Sequence, residues 1–228
     1  MASVNNPLYY LTGILAPDIC LGCQVEADGL LCTSCRLKLP TLSGSCFYCG
    51  RPSLNSRTCD HCQPKTSLVA IAARTSYQEP LAQKLLWKLK SDRSQAAAGS
   101  VAKCLLPCLP NLAKPTIIVP VPTANRRVRA RGYDQSVLIA KRLAKLSGLP
   151  CRRVLVRLHN SEQKGAGRQQ RFAQQQASLI VVKPQVIMNS RILLVDDVVT
   201  TGATLEAAAA ALHRAGATKI SAVVFAAA

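Results

Sequence analysis

The sequence predicts an α/β fold, a parallel sheet with helices on both faces, preceded by a small cysteine-rich module. Three observations carry this expectation. From residue 67 onward, apolar runs of strand length alternate with helical patterns, the signature of strands joined by crossover helices. One such run, Arg191-Ile-Leu-Leu-Val-Asp-Asp-Val-Val-Thr-Thr-Gly-Ala-Thr204, leads into an acid pair and a hydroxyl-rich turn. Ligands bind in such sheets at the carboxyl ends of strands. Ahead of all this, residues 1–66 hold eight cysteines in four C-x-x-C pairs.

The pairs are Cys20/Cys23, Cys32/Cys35, Cys46/Cys49 and Cys59/Cys62, at nearly regular intervals. Two thiolates separated by two residues grip one metal from a tight turn, and two such pairs complete a tetrahedral sulfur site. Eight thiolates therefore imply two structural zinc ions (Zn), in a double ribbon that depends on metal to fold. Tandem pairing, first with second and third with fourth, is the simpler scheme; cross-bracing is the alternative. His61 reads as a solvated turn residue. Cys104, Cys108 and Cys151 read as small apolar side chains.

The elements of the second part follow in order. Leu68 to Ala73 read as a strand, and Leu81 to Lys90 as an amphipathic helix with Leu85, Leu86 and Leu89 on one face. Ala96 to Leu106 continue as helix. Thr116 to Val119 form a buried strand that must stop at Pro120-Val-Pro122. Ser136 to Leu146 are helical, closed by Ser147-Gly148. Residues 154–158 and 179–182 are short strands around a polar, Gln-rich stretch. Ile192 to Val195 form a strand covered on both faces, Leu205 to Ala215 an Ala-rich helix ended by Gly216, and Ile220 to Phe225 the last strand.

The chemistry of the motif follows from its parts. Thr200, Thr201, Gly202, Ala203 and Thr204 place hydroxyls and backbone N–H groups at a helix N-terminus, where the dipole favours an anion. Gly202 lets a phosphate approach the backbone. The carboxylates of Asp196 and Asp197 accept hydrogen bonds from two vicinal hydroxyls or help to hold Mg²⁺. A phosphate beside a diol describes a ribose 5-phosphate.

Charge points the same way. The chain has 29 basic and 11 acidic residues, a formal net of +18, which favours polyanionic partners. From Arg126 to Arg171 there are 13 Lys/Arg against Asp134 and Glu162. Arg126, Arg127, Arg129 and Arg131 fall after the strand that faces the motif, in a basic loop suited to pyrophosphate or DNA phosphate. The segment from Ser161 to Arg171, with Lys164, Arg168 and Arg171, is glycine-bearing and basic; a lid over the site and a plain surface loop both fit it.

The motif segment resembles the phosphoribosyl diphosphate (PRPP) motif of type I phosphoribosyltransferases. With the cysteine pairs, Pro120-Val-Pro122, Arg131-Gly-Tyr-Asp-Gln135 and Gln163-Lys-Gly165, the chain resembles the ComF family (ComFC/GntX-like), which places a zinc ribbon ahead of a phosphoribosyltransferase domain. It departs from that family at Tyr133-Asp134 and Gln174, so Asp134 is given no substrate role. The resemblance implies a double zinc ribbon over 1–66 and a phosphoribosyltransferase-like domain over 67–228. It implies that Asp196 and Asp197 bind the ribose of Mg·PRPP as the catalytic acids, with Thr200–Thr204 around the 5-phosphate. It also implies a part in natural transformation, with single-stranded DNA and the DNA-uptake machinery at the inner face of the membrane as partners.

Two functions are weighed: a competence factor with a PRPP site that assists entry of single-stranded DNA, and an active transferase moving ribose 5-phosphate to a nitrogen acceptor. No secretory signal is visible and no apolar run approaches the ~20 residues of a membrane span, so the expected location is cytoplasmic, with no transmembrane segment.

Overall fold

The computed structural model describes residues 17–42, 44–91, 95–109, 115–158 and 179–228. The first ribbon contains one short helix, α1 (Thr33–Lys38), whose start is capped by the Cys32 sulfur. Then come β1 (Leu68–Ser76), α2 (Pro80–Ser91), α3 (Gln95–Leu105), β2 (Thr116–Pro120), α4 (Asn125–Arg131) and α5 (Gln135–Ser147). The chain continues through β3 (Leu155–Arg157), β4 (Leu179–Val181), β5 (Arg191–Val199), α6 (Ala203–Arg214) and β6 (Lys219–Ala227).

Four strands form a parallel sheet in the order β1-β6-β5-β2, and the short pair β3-β4 stands apart as an antiparallel ribbon. Side chains alternate across the sheet and feed two cores. On one face, Ile118, Leu193, Val195, Val223 and Phe225 meet α2, α3 and α5 through Leu85, Leu89, Val101, Leu105, Ile139 and Leu143. On the other, Ile71, Val119, Ile192, Leu194 and Val224 meet α6 and the β3-β4 ribbon. Alanines 207, 208, 209 and 211 are buried in α6, and their small size lets the helix lie close on the sheet.

Both sheet edges are covered, which removes a template for unwanted pairing. At β2, Ile118 donates to Pro150 (2.8 Å) and accepts from Arg152 (2.9 Å). At β1 the cysteine module takes the role through bridges Arg57↔Ala70 and Leu42↔Ala73. Arg74 reaches from β1 into that module. Its buried guanidinium donates to the carbonyls of Arg36, Leu39 and Pro40 and to the Thr41 hydroxyl, gathering the acceptors left open where α1 ends.

Beyond strands β1 and β6 running a few residues longer, the structure departs from the sequence expectation in two places that bear on the site. β5 extends to Val199 rather than stopping near Val195, because β6 keeps pairing with it through Val198↔Ala226 and Val199↔Ala227. The acid pair therefore lies within the strand, past the last residue paired to β2. The basic loop is the helix α4, which ends at Gly132 with φ of 77°. Among the described residues, no helix is long and apolar enough to cross a membrane.

Candidate functional site

The eight paired cysteines gather in tandem. Cys20, Cys23, Cys32 and Cys35 form one cluster and Cys46, Cys49, Cys59 and Cys62 the other, with the sulfurs of each within 4.8 Å of one another. A zinc–sulfur bond of about 2.3 Å places neighbouring sulfurs of a tetrahedron about 3.8 Å apart. Cys23 and Cys32 stand at 3.7 Å and Cys49 and Cys59 at 3.5 Å, so both clusters fit the ion. Burial opposes ionisation of Cys20, yet backbone N–H groups of Cys32, Cys23 and Gly22 outweigh it and bring the thiol down to about 6. Cys46 is brought to about 6 in the same way by the N–H groups of Cys59, Tyr48 and Cys49. Contact with Cys23 pushes Cys35 up to about 12, and burial and Cys49 do the same to Cys62. Four sulfurs that crowd one point share protons unequally, and a dication there would replace those protons. His61 is exposed and outside the cluster, and Cys104 is fully buried, as a space-filling cysteine should be.

The acid pair is built differently. Burial, and the Asp197 carboxylate beside it, hold the Asp196 carboxyl well above the ordinary range. The Ser136 hydroxyl donates to its Oδ1 at 2.7 Å and the Asp197 N–H at 2.9 Å, which works in the opposite sense. Asp197 pairs with Lys90 at 3.3 Å. Lys90 lies near the end of α2, which is also held by the Tyr133 hydroxyl donating to the Leu89 carbonyl at 2.5 Å. Asp134 caps α5 through the Ser136 N–H and accepts two 3.0 Å bonds from Thr123, so it fixes the segment after β2 against the residue that meets Asp196. That is a structural task, consistent with leaving it out of the substrate contacts.

After β5 the chain turns through exposed Thr200 and Thr201 into Gly202, whose φ of 77° is left-handed. Gly202 at the N-cap has no side chain to cap α6, and the Thr201 hydroxyl accepts the Ala203 N–H only at 3.4 Å, a long contact that an anion would replace. Ala203 and Thr204 open the helix and are half-buried.

Arg126, Arg127 and Arg129 are exposed on α4, and Arg131 is half-buried. Arg157, at the end of β3, lies in electrostatic reach of Asp196, Arg127 and Asp134, and burial lowers its pKa. Lys164, Arg168 and Arg171, and with them the lid expectation, lie outside the described residues.

The sequence profile of the phosphoribosyl transferase domain matches residues 133–228, which include Ser136, the acid pair and the loop after it. Residues 133–228 carry a phosphoribosyl transferase domain. The resemblance to the ComF family is borne out as well: the chain is 28% identical over 150 residues to the competence protein ComFC of Bacillus subtilis. That alignment covers 61% of this chain and 60% of the relative's length. Among solved structures, the glutamine PRPP amidotransferase of B. subtilis is similar at 20% identity and a TM-score of 0.41, over 57% of this chain and 26% of that one. The adenine phosphoribosyltransferase of Leishmania tarentolae gives 18% identity and a TM-score of 0.36, over 58% of each chain.

Sequence reasoning missed Lys90, Ser136 and Arg157 as neighbours of the acid pair. Lys90 read as part of an amphipathic helix face. Ser136 read as the first residue of a helix, where Ser is common for local reasons. Arg157 ends a strand too short to carry a pattern.

Proposed function

We propose that this chain is a competence-related, ComF-type protein that binds PRPP in its phosphoribosyl transferase domain and handles single-stranded DNA as it enters the cytoplasm. The observation that carries the reading is the arrangement of Asp196 and Asp197 inside β5, followed at once by the hydroxyl-bearing turn and the Gly202-led start of α6. The loop Thr200–Thr204 supplies hydroxyl and N–H donors for a 5-phosphate. The acid pair takes the 2- and 3-hydroxyls of the ribose. Lys90, now paired with Asp197, is free to follow the incoming negative charge. Mg²⁺, when bound with PRPP, supplies charge neutralisation at the pyrophosphate. The division into a zinc double ribbon and a phosphoribosyltransferase-like unit near residue 66 is part of the same proposal, with two structural zinc ions on the eight cysteines.

The DNA role rests on the exposed arginines of α4 and the net charge of +18. Phosphate contacts release counterions, so affinity for a single strand should fall with salt by about 0.7 in log K per log unit for each phosphate engaged. Neutralising Arg126, Arg127 and Arg129 together should flatten that slope. A salt-independent affinity, or none at low salt, removes the DNA role.

A second reading, active transfer of ribose 5-phosphate to a nitrogen acceptor, is favoured by Lys90 and Arg157 near the acid pair. Cations there would stabilise a departing pyrophosphate, and positioned charge would favour a ribose ring gaining positive charge. PRPP-dependent release of pyrophosphate with a trial acceptor would establish it.

A further inference from the structure

The second zinc ribbon reaches the loop that the proposed PRPP site uses for its phosphate. Phe47 and Tyr48 are the two residues between Cys46 and Cys49, so ligation of one metal by that pair would fix both. Their rings meet edge to face, with centroids 5.5 Å apart and planes at 85°. A Cβ at Gly202 would stand 3.0 Å from Phe47 Cε1, so the phenyl edge lies directly against the backbone of the phosphate loop.

Tyr48 engages the next turn. Its hydroxyl donates to Glu206 Oε1, and the Thr66 hydroxyl, 2.9 Å from it, donates to the same carboxylate oxygen. Thr66 Oγ1 in turn accepts the Leu68 N–H at 2.9 Å, where β1 begins. Glu206 is the only acid in the first turn of α6. A carboxylate there suits the helix dipole but opposes a phosphate bound at the same N-terminus. Two hydroxyls hold it on the ribbon side and satisfy its charge.

The geometry points to Phe47 and Tyr48 as positioning residues for the phosphate loop: Phe47 braces the Gly202 backbone, and Tyr48 with Thr66 keeps Glu206 from competing with the 5-phosphate. This rests on the PRPP reading, which it deepens by making the second ribbon part of the phosphate site.

The test is calorimetric titration of the zinc-loaded, full-length protein with two probes. Ribose 5-phosphate needs the loop; inorganic pyrophosphate with Mg²⁺ does not. Phe47→Ala should weaken ribose 5-phosphate about tenfold, the scale of one charge-assisted hydrogen bond. Tyr48→Phe should weaken it about fivefold, the scale of one charge near a helix end. Pyrophosphate affinity and zinc content should stay at the wild-type level in both. Adding Glu206→Gln to Tyr48→Phe should restore most of the loss, a rescue that a purely structural tyrosine would not give. Should Phe47→Ala fail to fold, Phe47→Leu and the tyrosine pair carry the test. Unchanged ribose 5-phosphate affinity in the variants, or an equal loss for both probes, overturns the inference and leaves the PRPP reading intact. A wild-type protein that binds no ribose 5-phosphate overturns both.

Discussion

The cluster of Cys20 to Cys35 and the cluster of Cys46 to Cys62 close nearly the same four-sulfur geometry, yet they lie against opposite faces of the sheet. The first adds Cys20, Leu31 and Leu39 to the core beneath α2, α3 and α5. Besides the Arg74 bonds from β1, it makes polar contacts with α3: the Leu30 N–H donates to Ser100 Oγ at 2.8 Å, and Lys103 pairs with Asp28 at 2.6 Å. The second covers the edge of β1 and packs Phe47 and Tyr48 against the other core, at the start of α6. A ribbon's metal site says little about its role; what its knuckle touches decides that. The first ribbon is a brace for the helix layer. The second borders the candidate phosphate loop.

Removing one ligand from each cluster should separate the two most strongly. Cys35→Ser and Cys62→Ser should each lower zinc content from about two ions per chain to about one, by the four-thiolate rule. Each ribbon lacks a core of its own and should lose its local fold. PRPP binding should survive Cys35→Ser with reduced thermal stability, and should be lost in Cys62→Ser. Equal loss of binding in both would erase the distinction.

Next in size is a matched pair of glycine substitutions. Gly202→Ala forces a left-handed alanine against Phe47 and should cost about 1–2 kcal/mol in chemical denaturation, with weaker PRPP binding. Gly22→Ala puts a Cβ 2.7 Å from the Cys35 sulfur and should reduce zinc retention without touching PRPP. The reverse pattern would exchange the roles given to the two ribbons.

The acid pair offers a sharper test of the second region. The folded protein holds the Asp196 proton to higher pH than an unfolded chain does. Its contribution to stability therefore falls as pH rises from the ordinary carboxylate value of about 4 toward the raised one. Asp196→Asn should remove that slope, giving a protein more stable than wild type at pH 8 in denaturant titrations, and one that no longer binds PRPP. The smallest effect belongs to the first ribbon. Ser100→Ala should cost about 1 kcal/mol and leave PRPP affinity unchanged, and Lys103→Ala less still, since Asp28 is almost fully exposed.

Much of this architecture is legible in the sequence because its signals are local. The sheet strands announce themselves as apolar runs, and the C-x-x-C spacing gives the ligand set. The motif reads off residue by residue because strand, acids, loop and helix are contiguous. What escaped is what contiguity does not carry. Phe47 and Gly202 are 155 positions apart in the chain and meet only because the second ribbon folds over the β1 edge. Lys90 meets Asp197 through the placement of α2 on the sheet. α4 was hidden for another reason. Arg and Ala are good helix formers, but Asn125–Arg131 buries no residue, so it shows no apolar period; Pro122 and Gly132 at its borders were the available hint.

The claim on which the rest depends is that β5 and the turn after it hold PRPP. Calorimetric titration of PRPP with Mg²⁺ into the zinc-loaded protein, and into Asp196→Asn/Asp197→Asn, tests it most directly. The account predicts one PRPP per chain in the wild type, dependent on Mg²⁺, and no binding in the double variant with its zinc content and melting profile retained. No binding by the wild type, or equal affinity in the double variant, would contradict it.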